Sequence, residues 1–244
     1  MQNRYTGDIG DFGKLGLLRK LSAAGFHIGV NWYLTPDENH NGDGKFVAYL
    51  EDEALADCDR ELWSGLGKIV KSGDRHVAAL EASGLLDAVF ASDMLDFRGI
   101  PKEKRSVMRN GWHSRAQNIL RGCDMVFADP DNGMIVPSAE GKPKSNKYAL
   151  PCELSEYYRT GASVVYYQHK ARQTDDIYSL KHWGMASSGG FSGAVPMGLK
   201  FRTVSQRFYF FFLQPHHAEK IHRCVEEMLA GPWSRCFERC EIPR

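Results

Sequence analysis

The chain has 244 residues, 43% hydrophobic and 25% charged, with a formal net charge of +1. That is enough apolar material for a sizeable core, and the charge balance excludes a global field drawing the molecule to nucleic acid or a membrane surface. No apolar run is long enough to span a bilayer and no leader-like start is visible, so a cytoplasmic protein is expected, its six scattered cysteines free and lacking zinc-site spacing.

In chain order, residues 3–25 contain a predicted helix. Leu15, Leu17, Leu18 and Leu21 line one face, Lys14, Arg19 and Lys20 the other, and Gly25 ends it. Asp8 or Asp11 can cap its start, where a carboxylate accepts unpaired amide hydrogens. The glycine- and acid-rich segment before it, from Tyr5 to Asp11, is either a lead-in loop or lies across a site. Residues 27–35 (HIGVNWYLT) predict a strand by their β-branched and aromatic content. The polar loop that follows, Pro36 to Lys45, falls where a doubly wound sheet holds a cofactor. A hairpin loop leading to a strand at 46–50 is the alternative.

Residues 54–70 and 75–86 predict two helices, and 87–94 a short strand. Residues 101–120 predict a basic helix carrying Lys102, Lys104, Arg105, Arg109 and Arg115, either a solvated face or a phosphate-contacting one. A second basic group, Lys142, Lys144 and Lys147, lies further on.

The most informative stretch is 123–133, CDMVFADPDNG. Its apolar run 125–128 reads as a buried parallel strand, stopped by Pro130 and turned by Asn132-Gly133. A helix at 150–159 and a strand at 162–169 complete a βαβ unit. Asp129 and Asn132 are then expected beside Gln168 and His169, at the carboxyl edge of adjacent strands where open α/β sheets bind ligands. The plain alternatives are a self-capped turn and a structural histidine. Residues 176–187 predict a helix, 199–204 and 207–213 a hairpin whose second arm is covered on both faces, and 216–229 a closing helix. The fold class expected is α/β: one domain with a doubly wound, mostly parallel sheet, an antiparallel C-terminal hairpin and a helical insertion at about 54–86.

The Asp129-Pro130-x-Asn132 turn and the terminal hairpin together resemble class I S-adenosylmethionine-dependent methyltransferases. The motif order is most similar to ribosomal-RNA (23S) N6-adenine methyltransferases. Those open with a tyrosine, a glycine–acid segment and a lysine-bearing helix, matched here by Tyr5, Gly7-Asp8, Asp11 and Lys14, and continue with a glycine-rich loop, matched loosely by residues 39–49. Asp131 stands where the family has a second proline and Asn132 where it has an aromatic residue. Asn132 cannot stack on a base, though its amide can accept from an exocyclic amine.

The resemblance implies S-adenosylmethionine as cofactor and an amino group of a nucleic-acid base as acceptor. Asp129 and Asn132 would be catalytic. Asp37, Asn39, Gly42, Asp43 and Gly44 would hold the donor. Tyr5, Lys14, Gln168, His169 and Arg172 would line the acceptor side, with RNA or DNA reaching the basic groups at 102–115 and 142–147. Two rivals stand beside it. One is a magnesium-dependent nuclease or phosphoesterase, built on Pro130-Asp131 with Gln168-x-Lys170, or Pro36-Asp37 with Asp43-x-Lys45. The other is a non-catalytic binding protein of the same fold.

Overall fold

A computed structural model describes residues 1–38, 44–171 and 173–241. Its centre is a seven-stranded sheet of β1 (Ile28–Asn31), β2 (Val89–Ala91), β3 (Met125–Ala128), β4 (Ser163–His169), β5 (Val195–Phe201), β6 (Arg207–Leu213) and β7 (Phe237–Arg239), in the order β2-β1-β3-β4-β6-β5-β7. Strands β1 to β4 are parallel neighbours, whereas β6 is antiparallel to both β4 and β5, and β7 to β5. The sheet is therefore mixed rather than mostly parallel. Placing β6 between β4 and β5 makes two antiparallel pairings, and β7, which the sequence pattern did not reveal, adds a third.

Helices cover both faces. α1 (Ile9–Ala23), α3 (Arg60–Ser72), α4 (Val77–Ala82) and α8 (Pro215–Ala230) pack on the face presenting Ile28, Val30, Phe127, Tyr209 and Phe211. α5 (Lys102–Ile119), α6 (Pro151–Arg159) and α7 (Asp175–Ala186) pack on the face presenting Val126, Val164, Phe208, Phe210 and Phe212. The alternation along β6 follows from the two-residue period of a strand, and burial on both faces explains why the run has no charged member after Arg207.

The helical insertion lies between β1 and β2 as expected, but the helix expected at 54–70 is broken. α2 (Glu53–Ala56) stops, and α3 restarts because Asp59 caps it by accepting from the Leu62 N–H at 3.0 Å. The helix expected at 75–86 is reduced to α4. Residues 46–50 form no strand, a 3-10 turn (Ala48–Glu51) standing there instead. β1 is shorter than expected because Tyr33 takes a positive φ of 46° and ends the extended run.

α1 carries a feature that decides where the site lies. Gly10, Gly13 and Gly16 follow one another at three-residue spacing. A Cβ at each would stand 2.0 Å from Arg207 Nη1, 2.6 Å from the Phe201 ring and 2.2 Å from the Trp233 ring, respectively. Glycine costs a helix about 1 kcal/mol per position. Here it lets β5, β6 and the Trp233 turn press against the helix backbone, bringing the first turn of α1 over the head of β6.

Among the described residues, no helix is long and apolar enough to cross a membrane, and all six cysteines are free.

Candidate functional site

A cavity of about 380 Å³ opens at the carboxyl edge of the parallel strands. Three convergences build it. β3 ends at Ala128 and delivers Asp129, Pro130 and Asn132; β4, in register beside it, delivers Tyr167 and His169; and Arg207, paired with His169, starts the antiparallel β6 at the same edge. The first turns of α1 add Asp8, Asp11 and Lys14, and the loops add Tyr5, Glu38, Gly44 and Phe46.

Lys14 is the hub. Its ammonium lies 2.9 Å from Asp11 Oδ1 and 2.5 Å from Asp129 Oδ2, all three side chains being at most 5% exposed. Burial by itself would lower the Lys14 pKa, but the two carboxylates outweigh it and hold the group charged well above the usual lysine range. Burial, reinforced by Asp11, raises Asp129 despite Lys14 and the Met1 ammonium. Asp8 caps α1 by accepting from the Gly10 and Asp11 N–H groups at 2.7 and 3.1 Å. Burial and the Asp11 charge push its carboxyl up to about 6, against the pull of Arg207 and Lys14. A half-buried carboxyl in that range can give or take a proton near neutrality. Burial also lifts the Tyr167 phenol to about 12, so it lines the site as a neutral donor.

Asp131, which also lines the cavity, is paired. The Met1 ammonium lies 2.7 Å from its Oδ1 and Gln2 donates to its Oδ2 at 2.7 Å. Although burial opposes ionisation, the Met1 ammonium, Gln2 and Lys147 hold Asp131 below the usual carboxylate range. The same ammonium donates to the carbonyls of Tyr33 and Asp129 at 3.1 and 3.0 Å. Met1 therefore fills the crevice between β1 and β3, where the strand order reverses and a doubly wound sheet ordinarily holds its ligand.

The expected site residues divide accordingly. Asp129, Asn132, Tyr5, Lys14, His169 and Gly44 all line the cavity. Among the described residues, neither Asp129 Oδ1 nor the Asn132 side-chain amide takes part in a hydrogen bond within the protein. Gln168 is a correction. It is buried away from the cavity, accepting from the Met134 N–H at 2.9 Å and donating to the carbonyls of Asn132 and His169 at 3.3 and 2.9 Å. It clamps the turn after β3 because the strand alternation turns 168 away from the side on which 167 and 169 lie. Asp37 is the second correction. It is exposed, lies outside the cavity lining, and accepts from the Arg4 N–H at 3.2 Å, tying down the N-terminal turn; its neighbour Glu38 lines the cavity and pairs with Lys147. Asn39, Gly42, Asp43 and Arg172 lie outside the described residues.

The basic groups are only partly exposed. Arg109 is buried against Glu153, its Nε 2.5 Å from Oε1, and Arg115 pairs with Asp93. Arg105 donates to the Gly141 carbonyl at 3.1 Å, which brings the two basic stretches together; Lys102, Lys104, Lys142 and Lys144 point to solvent.

Residues missed by sequence reasoning are Glu38, Phe46, Tyr167, Ser205 and Arg207. For Arg207 a signal existed, a single charge leading an otherwise wholly apolar run. Among the described residues, no group of three or more histidine, cysteine or acidic side chains could hold a metal ion. The nuclease pattern is also dispersed, with Asp131 held by Met1 and Lys170 by Asp175 and Gln206. No family model, curated protein or solved structure matches the chain.

Proposed function

We propose that the protein is an S-adenosylmethionine-dependent methyltransferase acting on an amino group of a nucleic-acid base. One observation carries the reading: Asp129 Oδ1 and the Asn132 amide, neither hydrogen-bonded among the described residues, both line the cavity at the carboxyl edge of a central parallel strand. Two acceptors there suit an exocyclic amine, which has two N–H donors. The antiparallel C-terminal hairpin adds support at the level of the fold.

The cavity suits the donor in size and lining. Its volume lies in the range of small-ligand sites, and Tyr5 and Phe46 offer aromatic walls for an adenine ring, with Glu38 a carboxylate for ribose hydroxyls. With Met1 in the β1–β3 crevice, the donor would lie on the Tyr5–Gly44–Phe46 side. When bound, it supplies an activated methyl group. The chain's task is then alignment. Asp129 and Asn132 accept the two amine hydrogens and direct the nitrogen lone pair. Lys14 holds Asp129 in place through its Oδ2. Asp8 offers a carboxylate near neutral pH for the proton the amine gives up.

Titration calorimetry with S-adenosylhomocysteine and S-adenosylmethionine tests binding, and transfer of a labelled methyl group to adenine-containing RNA and DNA tests turnover. Saturable heat is expected, with transfer lost in Asp129→Asn and in Asn132→Ala; the latter side chain holds no hydrogen bond among the described residues. Absence of heat at high protein concentration overturns the reading.

A further inference from the structure

Arg207 is a buried arginine that, among the described residues, has no carboxylate in ion-pair contact. It is 5% exposed and lines the cavity. Its Nε donates to the Ser205 carbonyl at 3.2 Å and its Nη2 to Ser205 Oγ at 2.7 Å, while the guanidinium carbon stands 5.5 Å from the centre of the Phe201 ring. These contacts fix the plane of the fork, and the carboxylates of Asp8 and Asp11 act on its charge only across a gap. Among the described residues, Nη1 makes no hydrogen bond and no carboxylate comes within salt-bridge distance of the group.

The other basic groups of the cavity differ. Lys14 sits between Asp11 and Asp129, Lys147 against Glu38, and the Met1 ammonium against Asp131. The nearest candidate partner for Arg207 is Asp8. Asp8 Oδ1 and Arg207 Nη1 lie 2.9 and 2.0 Å from one shared point, the place a Cβ on Gly10 would take, yet they form no ion pair. Asp8 Oδ1 is instead turned to the Gly10 and Asp11 N–H groups as the helix cap. An unpaired buried charge is costly and is kept where a ligand completes it. Glycine at position 10 is part of the arrangement, since any side chain there would displace the fork.

We propose that Arg207 is an oxyanion-binding subsite of this cavity, its Nη1 edge taking a carboxylate or phosphate group of the ligand. The planar fork suits either group. The subsite stands whether or not the protein transfers methyl groups, because it rests on the unpaired guanidinium and not on Asp129 or the donor.

Sulfate and acetate serve as probes, with chloride at matched ionic strength as the reference. Binding is read from the 15N–1H signal of the Arg207 Nε–H group, identified by its absence in Arg207→Gln, and from the thermal midpoint. A saturable signal shift and a raised midpoint are expected with at least one probe and not with chloride. Arg207→Gln should lose the midpoint effect, its affinity falling at least tenfold. If that variant does not fold, Ser205→Ala, which loosens one arm of the fork from an exposed turn, should weaken binding several-fold. Response to sulfate alone assigns the subsite to phosphate groups, and response to acetate alone to carboxylates. Equal behaviour of sulfate, acetate and chloride, or retention of the probe effect in folded Arg207→Gln, overturns the proposal.

Discussion

Replacing Lys14 with methionine tests the hub of the site most directly. Methionine keeps the length and apolar stem of lysine but removes the ammonium that two buried carboxylates share. Lys14, Asp11 and Asp129 side chains are 5%, 2% and 5% exposed, so water replaces the lost partner poorly. Removing one member of a buried ion pair costs about 3–5 kcal/mol. Asp11 still accepts from the Gly7 N–H at 2.9 Å, which softens the loss on that side. A destabilisation of about 4 kcal/mol at pH 8 is expected from these terms.

The pH dependence has a definite sign. In the wild type Lys14 is held charged above its ordinary range, so its contribution is complete below the unfolded lysine value and flat from pH 5 to 8. In the variant, the two carboxyls lack a cation and bind protons more tightly folded than unfolded, so its stability falls as pH rises. The difference from wild type should shrink to about half at pH 5. Urea unfolding at both pH values measures it. A loss below about 1 kcal/mol at pH 8, or an equal loss at both, would refute the view of Lys14 as the neutralising centre of the cavity.

Two further outcomes follow from the same geometry. Asp8→Asn keeps a good helix cap but removes a carboxyl raised to about 6. The folded state binds that proton more tightly than the unfolded chain does, so wild-type stability declines between about pH 4 and 6. The variant should gain about 1–2 kcal/mol on the wild type between pH 4 and 7, allowing for the group's partial solvent access, and a difference unchanged with pH would count against the shift. Gly133→Ala places a Cβ 2.3 Å from Gln168 Oε1 at a residue with φ +85°. Backbone strain and disruption of the Gln168 clamp should together cost about 2–3 kcal/mol in thermal or urea unfolding, whereas a neutral result would show that the clamp does not hold the turn.

Much of the architecture is written in local pattern. The α1 stripe with its Asp8 cap, the short strand before Pro130, the βαβ unit and the buried 208–213 run all follow from periodicity and turn chemistry, which act over a few residues. Those same rules placed Asp129, Asn132 and His169 at one edge of adjacent strands. They erred where a single residue of parity decides: Gln168 and His169 are neighbours, yet one clamps a turn and the other faces the cavity. They also erred over Asp37, whose partner, the Arg4 N–H, stands 33 positions earlier in the chain.

The sequence alone determined that this chain forms helices and strands in βα alternation with acids and an amide at a strand end, because those preferences are local and sum along each segment. Only the tertiary structure decided how the charges combine: that Lys14 joins Asp11 to Asp129 across 115 positions, that Met1 pairs with Asp131, and that Arg207 lies against Gly10 with no contact ion pair among the described residues. Such pairings depend on which side chains three-residue glycine spacing and strand order bring within a few ångströms. Electrostatic interaction acts through that distance, and separation along the chain carries no record of it.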